Sequence, residues 1–117
     1  MKYLFILNDP PYGTERVYNA MRLATTILDK DEGADVSVFL LGDAASAAKS
    51  GQQTPNGYYN LERMLKNVVR KGARVLVCGT CMNARGLTDD DLIDGATRST
   101  MDELTEHTIA AGKVLVF

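Results

Sequence analysis

The chain has no apolar stretch near the ~20 residues needed to span a bilayer, no cationic stripe, and a single histidine. Each absence excludes a class of function. A membrane-spanning helix is not expected. Thirteen basic and 15 acidic residues interleave to a net charge of −2, so a nucleic-acid-binding surface is not expected either. One histidine, His107, and two cysteines fall short of the four ligands of a structural zinc site unless subunits share it, and neither metal nor cofactor is expected. The segment Asn8-Asp9-Pro10-Pro11-Tyr12-Gly13-Thr14 has neither the glycine spacing of a dinucleotide fingerprint nor the lysine of a phosphate-binding loop. The opening run Met1 to Leu7 turns polar at Asn8 and is too short, with the wrong flanks, for a secretory signal. A cytoplasmic protein is therefore expected, with thiols mostly reduced and no permanent disulfide.

What is present is an ordinary globular composition, with 45% apolar and 24% charged residues over a length of 117 that suits one domain, residues 1–117. Four short apolar runs, Tyr3–Leu7, Val36–Leu41, Val75–Cys78 and Val114–Phe117, read as strands, and a fifth short strand is possible near Gly95–Arg98. Between them lie segments of helical period. Thr14 is placed to cap a first helix, with Glu15 in its first turn and Val17, Ala20, Met21, Ala24, Ile27 and Leu28 along one stripe. A second helix is expected over about Asn60–Lys71, closed by Gly72, with Met64 in its apolar stripe. A third starts near Ser99, where Thr100 and Glu103 have capping-box spacing, and its inner face is expected to hold Met101, Leu104, Thr105, Thr108 and Ile109. The run Asp89-Asp90-Asp91 after Thr88 also fits a helix start. Alternation of strand and helix predicts an α/β domain with a parallel sheet covered on both faces. Gly42–Tyr59 reads as a long loop opening with an alanine-rich turn.

The two cysteines form Cys78-Gly79-Thr80-Cys81, directly after the apolar run Val75-Leu76-Val77. The carboxyl edge of such a strand is where ligands collect in open α/β sheets. A free thiol has a pKa of about 8.5, and a helix N-terminus or a nearby cation lowers it. The chain after Cys78 is short enough to turn its N–H groups toward the sulfurs, and Arg85 can fold back with positive charge. Against this stands the plain reading of cysteine as a small buried hydrophobe. Tyr12 is a candidate cover for the cysteine pocket, and His107 reads as a surface or interface residue rather than a catalyst.

The chain resembles the DsrE/DsrF-like family, in particular its small YchN-like members. The likeness rests on Pro11-Tyr12-Gly13-Thr14-Glu15, Phe39-Leu40-Leu41-Gly42-Asp43-Ala44, Gly51-Gln52, Gly57-Tyr58, the Cys78–Cys81 motif with Arg85-Gly86-Leu87, Leu92-Ile93-Asp94-Gly95 and Lys113-Val114-Leu115-Val116-Phe117. The resemblance implies a three-layer α/β/α domain with a mostly parallel five-stranded sheet, and a homo-oligomer, commonly a homotrimer or homohexamer. In sulfur-relay members a persulfide rides on the cysteine matched here by Cys78, and Arg85-Gly86 follows at the family's distance. Cys81 goes beyond that relay pattern but suits the YchN-like subgroup.

The leading expectation is a persulfide carrier of sulfurtransferase type, in which Cys78 takes sulfur from a donor protein and passes it to an acceptor thiol. Cys81 would resolve or stabilise the persulfide. The N–H groups of Gly79 to Met82 and Arg85 would hold negative charge on sulfur, and Tyr12, Gly42, Asp43, Gly79, Thr80 and Arg85 would line the pocket. Two rival readings are a thiol–disulfide redox protein using both cysteines and a non-catalytic oligomeric binding module.

Overall fold

The computed structural model describes residues 1–117. Its elements in chain order are β1 (Lys2–Leu7), α1 (Arg16–Lys30), β2 (Asp35–Leu40), a 3-10 segment (Gly42–Ala48), α2 (Leu61–Arg70), β3 (Arg74–Cys78), α3 (Gly79–Ala84), a 3-10 turn (Asp89–Asp91), β4 (Ala96–Ser99), α4 (Met101–Ala110) and β5 (Lys113–Val116). The strands form one sheet in the order β4-β3-β2-β1-β5, with every neighbouring pair parallel.

The two sheet faces are covered unequally. Phe5, Leu7, Val38, Leu40, Val75 and Val77 pack beneath α1, α2 and the 3-10 segment in one large apolar cluster. Alternate residues Leu4, Phe39 and Leu76 point the other way into a small cluster with Leu104 of α4 and Cys78, edged by the partly buried Ile6, Leu41, Cys81 and Ala111. Side-chain direction alternates along each strand, so one residue of register decides which layer a side chain joins. Full burial of side chains such as Phe5, Phe39 and Leu65 is worth about 1.5–3 kcal/mol each.

α1 buries the expected stripe Val17, Ala20, Met21 and Ala24. It starts at Arg16, however, one turn-residue later than Thr14 suggests. Glu15 stands at the cap without a side-chain bond. The Thr14 hydroxyl is engaged instead with Asp9 at 3.2 Å, and accepts only a long 3.4 Å bond from the Arg16 N–H. α2 begins as expected: the Asn60 side chain accepts from the Arg63 N–H at 3.1 Å. Met64 packs partly buried against the large cluster.

α4 departs most from expectation. Thr100 caps it by accepting from the Glu103 N–H at 3.2 Å, but the Glu103 carboxylate is taken by the Ser99 hydroxyl, so the reciprocal half of the capping box is not formed. Leu104 is the one fully buried side chain of this helix, while Met101 and Ile109 are exposed. A lone helix crossing a sheet needs one narrow contact line. Leu104 supplies it, and the residues read as core on either side face outward.

The alanine-rich segment after β2 is a 3-10 helix whose Ala44, Ala45, Ala47 and Ala48 have no exposure. The loop that follows is pinned by Gln52, whose side-chain amide donates to the carbonyls of Ala47 and Lys49 at 2.8 Å each. Asp89–Asp91 forms a single turn in which the Asp91 carboxylate accepts from the Thr88 N–H at 2.8 Å and from the Thr88 hydroxyl at 3.1 Å. No helix is long and apolar enough to cross a membrane.

Candidate functional site: the carboxyl edge of β3

β3 passes into α3 without an intervening residue: Cys78 is the last residue of the strand and caps the helix. The cause is local. Gly79 is the first residue of α3, and a Cβ there would meet Arg98 Nη1 at 3.1 Å, Arg98 Cγ at 3.2 Å and the Ser99 carbonyl at 3.2 Å. A larger residue there would have to push Arg98 and the β4 backbone back by a few tenths of an ångström, so glycine suits this close approach. The Cys78 sulfur therefore occupies the position of a capping oxygen, accepting from the Cys81 N–H at 3.4 Å. The Thr80 hydroxyl lies 3.3 Å from the same sulfur.

Cys81 lies one turn on. Its sulfur accepts from the Gly42 N–H at 3.2 Å. β2 and β3 run side by side in register, Leu40 opposite Val77, so the first residues beyond β2 reach the first turn of α3. Gly42 takes φ +57°, a left-handed conformation that turns the chain there and costs a non-glycine residue about 1–2 kcal/mol. Asp43 follows and holds Arg85 through Nη2 at 2.7 Å and Nε at 3.2 Å, while Arg85 Nη1 donates to the Cys81 carbonyl at 3.0 Å. Arg85 thus folds back as the sequence suggests, with its charge shared with a carboxylate and directed to the Cys81 side.

Both thiols are free, and their electrostatics diverge. Burial pushes the Cys78 thiol up, but the Cys81 side chain, the Thr80 hydroxyl and the N–H groups of Cys81 and Thr80 outweigh it and bring Cys78 below its ordinary value. Cys81 goes the other way. Burial and the Cys78 sulfur raise it, and the Gly42 N–H and the Arg85 charge offset only part of the rise. Cys78, the more acidic of the two, is 7% exposed as a residue and lines a cleft of about 450 Å³. Lining it with Cys78 are Thr80, Asn83, Arg98, Ser99 and Met101.

The sequence matches the DsrE/DsrF-like family over residues 1–117. The chain belongs to that family. Among its relatives, the uncharacterized protein MJ0989 of Methanocaldococcus jannaschii is 42% identical over 117 residues, 100% of both chains. Protein YchN of Escherichia coli strain K12 is 36% identical over 116 residues, covering 99% of this chain and 98% of YchN. The crystal structure of the E. coli YchN protein matches with a TM-score of 0.95 at 36% identity, over 100% of this chain and 99% of that one. The protein of unknown function MTH1491 from Methanobacterium thermoautotrophicum shares the fold, with a TM-score of 0.82 at 13% identity, over 99% of this chain and 98% of its own.

Within this DsrE/DsrF-like chain, the carboxyl edge brings together Cys78, Cys81, Gly42, Asp43, Gly79, Thr80 and Arg85. Of the residues expected to line the pocket, only Gly79 and Thr80 line the Cys78 cleft; Gly42, Asp43 and Arg85 gather on the Cys81 side, and Tyr12 does not line the cleft either. Its hydroxyl bonds the Gln52 side chain and accepts from the Leu61 N–H at 3.0 Å. Its ring stacks on Tyr59 at 5.7 Å, in a group with Tyr18 and Tyr58 that ties the long loop to the start of α2. Tyr59 is pushed up to about 12, first by its bond with the Tyr58 hydroxyl and then by burial. His107 lies at the opposite, amino edge of the sheet, in a recess of about 220 Å³ shared with Lys2, Ser37 and Arg74. No three His, Cys, Asp or Glu side chains cluster in metal-binding geometry. Asn83, Arg98, Ser99 and Met101 were not expected at the site. The available signal was topological: β4 has to pair beside β3, which sets Ser99 opposite Cys78.

Proposed function

We propose that this protein is a sulfur carrier that holds a persulfide on Cys78. The observation that supports the reading most is the set of donors around the Cys78 sulfur, the Cys81 N–H and the Thr80 hydroxyl, at the mouth of an open cleft. The Cys78 thiolate attacks the outer sulfur of a donor persulfide R–S–SH. A new S–S bond forms to Cys78, the old S–S bond breaks, and R–S⁻ leaves, so no external oxidant is needed. An acceptor thiolate repeats the exchange in the delivery direction. Cys81, the less acidic thiol, stays protonated and donates to the charged neighbour. Membership of the DsrE/DsrF-like family points to the same sulfur-relay chemistry. Donor and acceptor proteins of such a relay, and a homotrimer or homohexamer, belong to this proposal. Exposed Ile109, Val114 and Val116 suit contact with a second copy, which light scattering on the purified protein tests.

The test is mass spectrometry after incubation with a sulfane-sulfur donor. Carriage gives a Cys78 peptide about 32 Da heavier, one sulfur, reversed by a thiol acceptor. A second reading is favoured by the placement of Cys81 one turn on, its own N–H donating to the Cys78 sulfur: Cys81 attacks the inner sulfur of the Cys78 persulfide, forms the internal disulfide and releases HS⁻. That route leaves a product about 2 Da lighter than the dithiol and needs a thiol reductant to reset. A chain that shows neither adduct nor disulfide is not a carrier.

A further inference from the structure

Arg98 is the cation of the Cys78 cleft, and none of the sulfur chemistry above uses it. It comes from the edge strand β4 and lies across the first turn of α3, packed so closely on Gly79 that a Cβ there would sit 3.1 Å from Nη1. Its guanidinium is fixed on two sides. Nε donates to Asp89 at 2.7 Å, and Nη1 donates to the Gly79 carbonyl at 3.1 Å and to the Asn83 side chain at 3.0 Å. Nη2 has no protein acceptor. A guanidinium carries five N–H donors in a rigid fork suited to carboxylates, so a fixed and partly unused fork beside a nucleophile is a ready anion contact.

The acidic groups nearby offset its charge only in part. Asp89 is spread toward solvent, with its side chain 70% exposed, and Glu103 is engaged by the Ser99 hydroxyl. On the other side of the cleft the exposed Met101 thioether offers a soft apolar wall. The volume, about 450 Å³, exceeds what hydrosulfide alone would fill and suits a molecule with a carbon skeleton.

We propose that the cleft takes a small carboxylate-bearing persulfide or thiol, its carboxylate on Arg98 and its sulfur at Cys78. This rests on the carrier reading for its biological sense, but its geometry is tested separately. In the transfer, Cys78 gains the outer sulfur and the ligand departs as a carboxylate-bearing thiolate, still held at its other end by Arg98. Arg98 is thus a specificity-determining residue rather than a participant in bond exchange.

Alkylation of Cys78 by iodoacetate and by iodoacetamide reads the local charge directly. Both reagents form the same C–S bond and expel iodide, and they differ by one carboxylate. Their rate ratio cancels the thiolate fraction, so any effect of a substitution on thiol acidity drops out. Measurements use a Cys81→Ala background to leave one thiol. Arg98→Gln is expected to lower the iodoacetate-to-iodoacetamide ratio about 3- to 10-fold, the effect of one charge at the mouth of a solvent-open cleft, and less at high salt. Asp89→Asn, which frees the guanidinium of its exposed partner, is expected to raise the ratio. An unchanged ratio in folded Arg98→Gln, or an unchanged or lower ratio in Asp89→Asn, overturns the proposal. Should Arg98→Gln fail to fold, Asp89→Asn decides alone. If Cys78 accepts sulfur from an uncharged donor while the ratio ignores Arg98, carriage stands and this inference falls. If the ratio follows Arg98 but no sulfur is taken up, the carrier reading falls and the anion contact stands.

Discussion

Replacing Thr80 with valine removes one hydroxyl from the Cys78 sulfur and keeps the side-chain volume. Hydrogen bonds to charged groups contribute about 1.5–3 kcal/mol. Here the S···O distance is 3.3 Å, the acceptor is a large diffuse sulfur and Thr80 is itself exposed, so water recovers part of the loss. About 0.7–1.4 kcal/mol is a reasonable residue, which is a three- to tenfold drop in thiolate fraction below the titration midpoint. The thiolate that remains is more basic and more nucleophilic. With a Brønsted coefficient of about 0.4–0.5, roughly half of the logarithmic loss is returned. Iodoacetamide should therefore label Cys78 about two- to threefold more slowly in Thr80→Val at pH below the midpoint. Well above the midpoint it should label it faster, with the two pH profiles crossing between. Peptide-resolved mass spectrometry of the Cys78 adduct across pH measures both limbs. Profiles that superimpose, or a variant that labels faster throughout, would refute the claim that Thr80 holds the thiolate.

Cys81→Ala removes the donor that most strongly lowers Cys78, so the Cys78 profile should move to higher pH; Cys78→Ala relieves the sulfur that raises Cys81, so that profile should move to lower pH, both read by the same labelling. Glu62 is held below its ordinary value by Lys66, 2.9 Å away, against burial, and also by the Gln52 N–H. Its folded pKa is depressed, so its contribution is present above about 4.3 and is lost as pH falls through the folded value. Glu62→Gln should flatten the acid limb of urea-unfolding stability over that window, and an equally steep limb in the variant would contradict the pairing. Asn60→Ala removes the α2 cap and is expected to cost about 1–2 kcal/mol in chemical denaturation. Phe39→Ala, on the thinly covered sheet face, should cost about 3–5 kcal/mol in the same assay, unless α4 collapses onto the space and reduces it.

Much of this molecule is legible in its residues. β1, β2 and β3 are largely apolar, interrupted only by Ser37 in β2 once their charged first residues are passed, because both faces of a central parallel strand are covered, and α1 and α2 carry stripes wide enough to show their buried side. Cys78 at a strand end was visible for the same reason. What was not legible lies where tertiary context overrides local pattern. β4, Ala-Thr-Arg-Ser, is an edge strand with too little apolar character to announce which way Arg98 points. α4 contacts the sheet along a single line through Leu104, so the apolar residues Met101 and Ile109 misled the reading of its face. Tyr12 follows β1 at the same sheet edge as the cysteines, yet its hydroxyl is claimed by Gln52 and the Leu61 N–H, a pairing across 49 residues that no local pattern encodes.

Because all five strands point the same way, the two rims of the sheet are chemically separate. Met1 adjoins the rear rim, where its carbonyl accepts from the Asp35 N–H, whereas Phe117 adjoins the front, where its carbonyl accepts from the Asn8 N–H. At about 3.3 Å per residue, a five-residue strand such as β3 sets the rims some 16 Å apart. A surface linker, affinity handle or fluorophore attached at Met1 would leave the nucleophile facing outward. The same attachment at Phe117 would crowd the front rim.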